Sequence, residues 1–324
     1  MQIKIGIVGM GNIFQKHYAV IKNNKSFQIV ALCDRNYKTK NKNSSVPFYS
    51  NIKQMLSKNK DIELVILLTP SGLHFKQIKM CLLYNKNIIV EKPICLDFIE
   101  LKKIISLQKK IKKKIFTVYQ NRKNICIQKL KNYLNKKKIG KVFLVNSSLT
   151  WSRNKKYYQE SNWRGKWNGD RGAICNQGIH NIDLMCNLFG DVKHVYTQSE
   201  RVLRYSECED TASSLIRFKN NILCNMNFST ATSEKNYQNS IEVYGTKGKF
   251  FITGRNLDIA YFNDKLICKN NKNLFQFFYK DVIKSLISKK ITNSNSAILA
   301  KPSIKLMNAM YLSLKKNKVI NLSK

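Results

Sequence analysis

Few acidic side chains, no Cys-x-x-Cys pair and no long uncharged apolar run occur in this chain, and each shortage removes a class of protein. The nine cysteines are odd in number and lack metal-ligand spacing. Most, like Cys33, Cys81, Cys186 and Cys224, sit inside apolar runs. That pattern excludes a disulfide framework and a zinc site, and it predicts reduced, buried thiols in a cytoplasmic protein with no metal. No uncharged apolar run approaches about 18 residues, so no transmembrane helix and no membrane partner are expected. The N-terminus lacks an apolar h-region ahead of a cleavage site, so no signal peptide is expected. Only 19 Asp and Glu stand against 58 Lys and Arg, a net charge of +39. Such a surplus suits a polyanion, through phosphate neutralisation. A nucleic-acid binder, however, concentrates its charge in an arm or a motif. Here the charge is spread along the chain in short clusters such as Lys109-Lys110-Ile111-Lys112-Lys113-Lys114 and Lys136-Lys137-Lys138. Lys, Asn and Ile are abundant together and share A/T-rich codons. We therefore read the surplus as compositional drift and expect no specific nucleic-acid partner.

What remains is a globular composition, 43% hydrophobic and 24% charged over 324 residues, long enough for two domains. Ile3 to Val8 is an apolar, β-branched run that reads as a buried parallel strand. It ends in Gly9-Met10-Gly11-Asn12-Ile13-Phe14, and a helical pattern follows. Strand, glycine turn and helix in that order are the context of a dinucleotide fingerprint. Gly9 allows the tight turn. Gly11, Asn12 and Ile13 bring backbone to a pyrophosphate at the helix N-terminus. The third small position is Phe14, a departure that weakens the motif. The next strand, Phe27 to Cys33, ends at Asp34, 23 positions after Gly11 and near the spacing of a ribose-binding acid. A carboxylate there favours NAD, while adjacent Arg35 leaves NADP open.

Further strands end in polar loops: Leu64–Leu68 in Thr69-Pro70-Ser71-Gly72-Leu73-His74, Ile88–Val90 in Glu91-Lys92-Pro93, and Ile115–Tyr119 in Gln120-Asn121-Arg122. Ligands of open α/β sheets bind beyond the carboxyl ends of the strands. Thr69, Pro70, His74, Glu91, Lys92 and Gln120 are thus expected to line the cofactor in a domain spanning 1–122. Lys92 stands out, because a strand end, a glutamate and a rigid proline hold it in place.

After a helix from Ile125 to about Lys138, alternating runs recur at 142–151, 195–202, 211–217, 223–229, 240–244, 249–253 and 258–262. They predict an α+β domain over 123–324 with a large, mostly antiparallel sheet. Two helices, 274–288 and 297–315, and a short closing strand or tail at 319–322 complete it. A polar aromatic segment carries Arg153, Tyr157, Tyr158, Trp163 and Arg164, a composition suited to sugar faces and phosphates. Then come Asn176, His180 and Asp183, at i, i+4 and i+7, which one helical face would present together.

Gly-Met-Gly-Asn-Ile at the start, Thr-Pro-Ser-Gly-Leu-His at 69–74, Glu91-Lys92-Pro93, Tyr157-Tyr158, Trp163-Arg164-Gly165 and Asn-Gln-Gly-Ile-His-Asn-Ile-Asp at 176–183 come in one order. In that order the sequence resembles the glucose–fructose oxidoreductase, inositol dehydrogenase and rhizopine catabolism (Gfo/Idh/MocA) family over essentially its whole length. The resemblance implies an N-terminal doubly wound Rossmann domain, an α+β domain with an open sheet, and a homodimer or homotetramer. It also implies NAD(P)-dependent hydride transfer at a hydroxyl or keto carbon of a sugar, cyclitol or nucleotide-sugar. Within it, His180 matches the catalytic acid/base, Lys92 the lysine that binds the same oxygen, and Asp183 or Asn176 a residue orienting the imidazole or a substrate hydroxyl. Arg153, Tyr157, Tyr158, Trp163 and Arg164 fall on the substrate side. In Asp170-Arg171, charged residues stand where glycines are common in the family. Two alternatives accompany this reading: a glycosidase that recycles its NAD, and a non-catalytic dinucleotide- or sugar-sensing regulator.

Overall fold

The computed structural model describes residues 2–36, 45–269, 273–288 and 296–322. Six parallel strands form the N-terminal sheet: β1 (Ile3–Val8), β2 (Phe27–Cys33), β3 (Phe48–Tyr49), β4 (Leu64–Leu67), β5 (Asn87–Val90) and β6 (Ile115–Thr117). Their order is β3-β2-β1-β4-β5-β6, with helices α1 (Phe14–Lys22), α2 (Ile52–Lys58), α3 (Ser71–Leu83) and α4 (Phe98–Ile111) as crossovers. Helices on both faces bury such strands on both sides, which is why all of β4 is inaccessible and why it reads as unbroken Leu-Val-Ile-Leu. Strand order reverses between β1 and β4, the switch point where doubly wound sheets take ligands. The two-residue β3 is too short to leave a periodic signal, and sequence patterning misses it.

Nine strands form the second sheet: β7 (Val142–Thr150), β8 (Val192–Glu200), β9 (Thr211–Phe218), β10 (Leu223–Ser229), β11 (Gln238–Gly245), β12 (Gly248–Thr253), β13 (Ile259–Phe262), β14 (Lys265–Lys269) and β15 (Ile320–Asn321). The order is β14-β13-β12-β11-β7-β10-β9-β8-β15, and only β7 and β10 pair in parallel. In β9, Ala212, Ser214, Ile216 and Phe218 are buried and alternate with accessible residues, the period-2 pattern of a sheet packed on one face. Edge strand β14 is largely accessible and too polar for its sequence to announce it. Helices α5 (Ile125–Asn135), α6 (Lys155–Gln159), α7 (Ala173–Asn176) and α8 (Ile179–Phe189) belong with this sheet.

The last helices divide between two compact units, 1–118 with 275–301 and 119–274 with 302–324. A single cut at 122 therefore misses the return of α9 (Leu274–Ile287) to the first unit. Its Phe278, Tyr279 and Val282 share one apolar core with Ile5, Ile7, Ile66 and Val118. Phe14 lies in that core, 5% exposed and stacked on Tyr18 at 5.2 Å. The oversized third motif residue is thus a packing residue whose ring shares its core with α9. The stretch predicted as one helix over 297–315 is a 3-10 turn at Ala297–Ala300 followed by α10 (Lys301–Lys316). Pro302 suits the first turn of a helix and explains the restart. Among the described residues no helix is long and apolar enough to cross a membrane.

Candidate active site

The glycine loop fits a dinucleotide. Gly9 adopts φ +94°, and a Cβ there would lie 2.8 Å from the carbonyl carbon and oxygen of Leu68, so a side chain is excluded twice over. A Cβ on Gly11 would meet nothing within 4 Å, which leaves open space beside the backbone where a pyrophosphate would approach. No side chain caps α1; within its first turn Phe14 N donates to Gly11 O at 2.9 Å and Lys16 N to Ile13 O at 3.1 Å. Asp34 follows β2; one carboxylate oxygen accepts from Met10 N at 2.6 Å and the other from Asn36 N at 2.9 Å. That clasp ties the acid to the glycine loop. Arg35 beside it is exposed.

The loops beyond β4 and β5 hold two of the expected residues against protein partners. His74 is fully buried, and its ring nitrogens face Pro93 O at 2.8 Å and Thr69 O at 2.9 Å. Burial holds its pKa below the usual imidazole range, while the two carbonyls favour the protonated ring. His74 therefore sits between the two loops, with one ring nitrogen facing a carbonyl of each. Glu91 is 8% exposed; one oxygen meets His17 Nε2 at 2.9 Å and the other accepts from Lys92 N at 3.0 Å. Its carboxylate therefore braces α1 against the end of β5 through these two contacts. Thr69 Oγ1 bonds Gln77 Oε1 at 2.5 Å, and Pro70 precedes α3. Lys92 is half-buried and joined to Pro93 by a cis peptide. In the second unit, the buried Gln120 Oε1 has no partner among the described residues. Sequence reasoning misses His17 and Tyr279, because no local signal links positions 262 apart.

The second unit separates the three residues that one helical face was expected to present. Asn176 ends α7, whereas His180 lies in the first turn of α8. Between them Gly178 N donates to Ala173 O at 2.7 Å, five residues back, so the turn widens and the register slips. A Cβ on Gly178 would come within 2.9 Å of Ile174 O. Asp183 is buried: Arg122 grips it through Nε at 2.7 Å and Nη2 at 2.5 Å, and Ser303 Oγ donates at 3.0 Å. Its oxygens fix α8 to the turn Gln120–Lys123 and to α10. Asn181 anchors the same helix through Ser147 Oγ at 3.0 Å and Asn239 Oδ1 at 3.4 Å. His180, half-buried, stands among these anchors.

The aromatic segment packs largely on itself. Arg164 donates to Tyr157 O at 2.6 Å and Glu160 Oε2 at 2.8 Å, with its guanidinium 4.1 Å from the Tyr157 ring centre and 5.4 Å from that of Trp163. Arg164 thus spends Nη1 within the protein, while its buried Nε has no partner among the described residues. Tyr158 Oη lies 3.4 Å from Thr230 Oγ1, and burial pushes its phenol up to about 12. Asp170 is a clamp: Oδ1 accepts from Gly165 N at 2.7 Å and Oδ2 from Asn176 Nδ2 at 2.5 Å. Asn176 also reaches Tyr157 Oη at 3.3 Å. Of the expected substrate residues, Arg153 and Tyr157 line a cleft of about 570 Å³, together with Trp151, Glu234, Asn236 and Arg255. Asn239, another wall residue, is the partner of Asn181 beside His180. Glu234, Asn236 and Arg255 come from loops with no motif, and sequence reasoning misses them too.

Glu209, which Tyr311 Oη and Ile174 N hold at 2.9 and 3.1 Å, has its carboxyl pushed up to about 7 by burial. An unfolded glutamate titrates near about 4.3, so the folded chain binds this proton more tightly between the two values. The contribution is present in full at low pH and is lost as pH rises through about 7, a change of about 4 kcal/mol. Glu209→Gln keeps an acceptor for both donors, and it is expected to flatten that slope and raise stability near pH 8. Denaturant unfolding of both proteins at mildly acid and mildly alkaline pH checks this, and equal pH slopes would refute it.

Two family models match the chain: an oxidoreductase family with an NAD-binding Rossmann fold over residues 3–120, and a GFO/IDH/MocA C-terminal domain over residues 127–251. An uncharacterised oxidoreductase of Schizosaccharomyces pombe is 27% identical over 218 residues, which are 64% of this chain and 58% of that protein. The match thus spans less than two thirds of that relative's length. The WlbA dehydrogenase of Bordetella pertussis, solved with NADH and UDP-GlcNAcA, superposes with a TM-score of 0.91 at 26% identity over 100% of both chains. The WlbA dehydrogenase of Chromobacterium violaceum, with the same two ligands, gives 0.91 at 27% identity over 99% of this chain and 96% of that one. With a parallel dinucleotide sheet and a second, mostly antiparallel sheet in place, the chain belongs to the Gfo/Idh/MocA family of oxidoreductases, and its N-terminal part is an NAD-binding Rossmann domain.

Proposed function

We propose that the protein is an NAD-dependent dehydrogenase acting at a hydroxyl or keto carbon of a sugar, and that the sugar is nucleotide-linked. The observation that carries this is the polar, aromatic cleft at Trp151, Arg153 and Tyr157, joined through Asn239 and Asn181 to the helix of His180. Arginine beside aromatic faces suits a diphosphate and a base. The two WlbA structures, which hold a UDP-sugar, support the same choice. When bound, NAD supplies the hydride acceptor or donor. His180 takes or returns the hydroxyl proton, a task that suits a side chain ordinarily titrating near neutrality. Lys92 donates a hydrogen bond to that oxygen and stabilises the charge developing on it. Leu215 and Leu223, 53% and 36% exposed on one face of the second sheet, are where we place the contact of a homodimer or homotetramer. All nine cysteines are unbridged, which fits the cytoplasm.

Calorimetry with UDP-sugars, free sugars and inositol, paired with NADH absorbance during turnover, tests the proposal. Tighter binding of UDP-sugars and net NADH formation are expected. Equal or weaker binding of UDP-sugars removes the nucleotide-linked substrate, and glycosidic cleavage without net NADH replaces the dehydrogenase with a cofactor-recycling glycosidase.

A further inference from the structure

In the first unit, a chain of buried polar groups runs behind Lys92. Tyr279 Oη and His17 Nδ1 are 2.7 Å apart, His17 Nε2 and Glu91 Oε1 are 2.9 Å apart, and Glu91 Oε2 accepts from Lys92 N at 3.0 Å. His17 and Tyr279 are fully buried. An ionised carboxylate only accepts, so His17 must carry its proton on Nε2, toward Glu91. The Nδ1 of a neutral ring then accepts from the Tyr279 hydroxyl. With Glu91 ionised and His17 neutral, the series runs in one direction, from the Tyr279 hydroxyl through His17 to Glu91. Phe275 sets its edge against the imidazole at 4.8 Å between ring centres, which fixes the ring plane.

We propose that Tyr279 and His17 are positioning residues for Lys92 that act through the Glu91 carboxylate. The surrounding core is apolar, with Ile5, Ile7, Val118 and Phe278 close by, and apolar side chains would fill it with less desolvation. What the polar chain adds is direction. His17 lies on α1, directly after the dinucleotide loop, and Glu91 lies at the end of β5, next to Lys92. The chain therefore links the element that takes the pyrophosphate to the one that presents the lysine. Tyr279 brings α9 into the same link. Without His17, the buried carboxylate loses one of its donors and is free to turn, and its hold on the Lys92 amide loosens. The inference rests on Lys92 being the substrate-side lysine, and its test gives an outcome that does not depend on that role.

The test measures how fast Lys92 is acylated by isotope-labelled acetic anhydride, followed by peptide mass spectrometry. It uses the full chain, with and without saturating NADH, and exposed Lys53 as internal reference. Tyr279→Phe keeps the ring and removes the hydroxyl. Its Lys92 rate should rise about threefold or more, His17→Ala should raise it further, and His17→Gln, which restores a donor to Glu91, should bring it partly back. With a substrate from the UDP-sugar panel, kcat should fall about tenfold in Tyr279→Phe while KM and the NADH Kd hold. A folded Tyr279→Phe with a lower melting midpoint and an unchanged or slower Lys92 rate would overturn the proposal and leave a purely structural role. Should His17→Ala not fold, Tyr279→Phe decides alone. Should no sugar turn over, the dehydrogenase reading fails, while a raised Lys92 rate still supports the positioning role and an unchanged one still overturns it.

Discussion

His180→Ala is expected to lower kcat about a thousandfold, the middle of the range for losing a general acid/base. NADH affinity should stay within about threefold, because His180 acts on the proton in the transition state and adds little to ground-state binding. The fold around it should survive. Asn181 and Asp183 hold α8 through Ser147, Asn239, Arg122 and Ser303, and none of those bonds uses the imidazole. Lys92→Ala is expected to cost about a hundredfold or more in kcat, as for loss of one donor to a developing oxyanion. Steady-state kinetics with the best substrate of the UDP-sugar panel and fluorescence titration with NADH check both. Wild-type turnover in both variants would end the assignment.

Arg122→Ala should cost about 3–5 kcal/mol of stability, because it strands the buried Asp183 carboxylate without its bidentate partner. Asp183 and Arg122 are 2% and 4% exposed at their side chains, so water cannot take over either role. Arg122 also lies 5.0 Å from the Tyr119 ring centre, and the substitution removes that cation–π attraction as well. The double variant Arg122→Met, Asp183→Leu is expected to recover more than half of the loss, since it leaves no unpaired charge. Turnover should stay depressed in that variant, because α8 no longer has the bonds that set its place beside the turn Gln120–Lys123. Chemical denaturation of the three proteins decides the stability claim. A double variant as unstable as Arg122→Ala would show that the ion pair itself carries the energy.

How legible each feature is in the sequence depends on how far apart its interacting residues lie. The β1 run, the Gly9 turn and the spacing to Asp34 are legible because each is set within one strand–turn–helix unit. The backbone gives the reason, with Gly9 in a conformation closed to side chains and Asp34 fastened to the glycine loop. The alternating strands of the second sheet are legible for the same cause, since period-2 burial is written along each strand. The expected face of Asn176, His180 and Asp183 breaks because regular helical spacing does not continue through Gly178, where the turn widens. Motifs mark His74, Glu91 and Asp183 as site residues, and the fold turns all three toward protein partners.

The amino-acid sequence by itself determined the two sheets, the dinucleotide loop and the motif order that marks the family, because these follow from local backbone preference and hydrophobic period. Only the tertiary structure decided which polar side chains are spent on the protein: Asp183 on Arg122, His74 on two carbonyls, Glu91 on His17, and Tyr279 behind them from the far end of the chain. A buried polar group must find a partner wherever packing brings one within reach, and that partner's place in the sequence is not encoded near it.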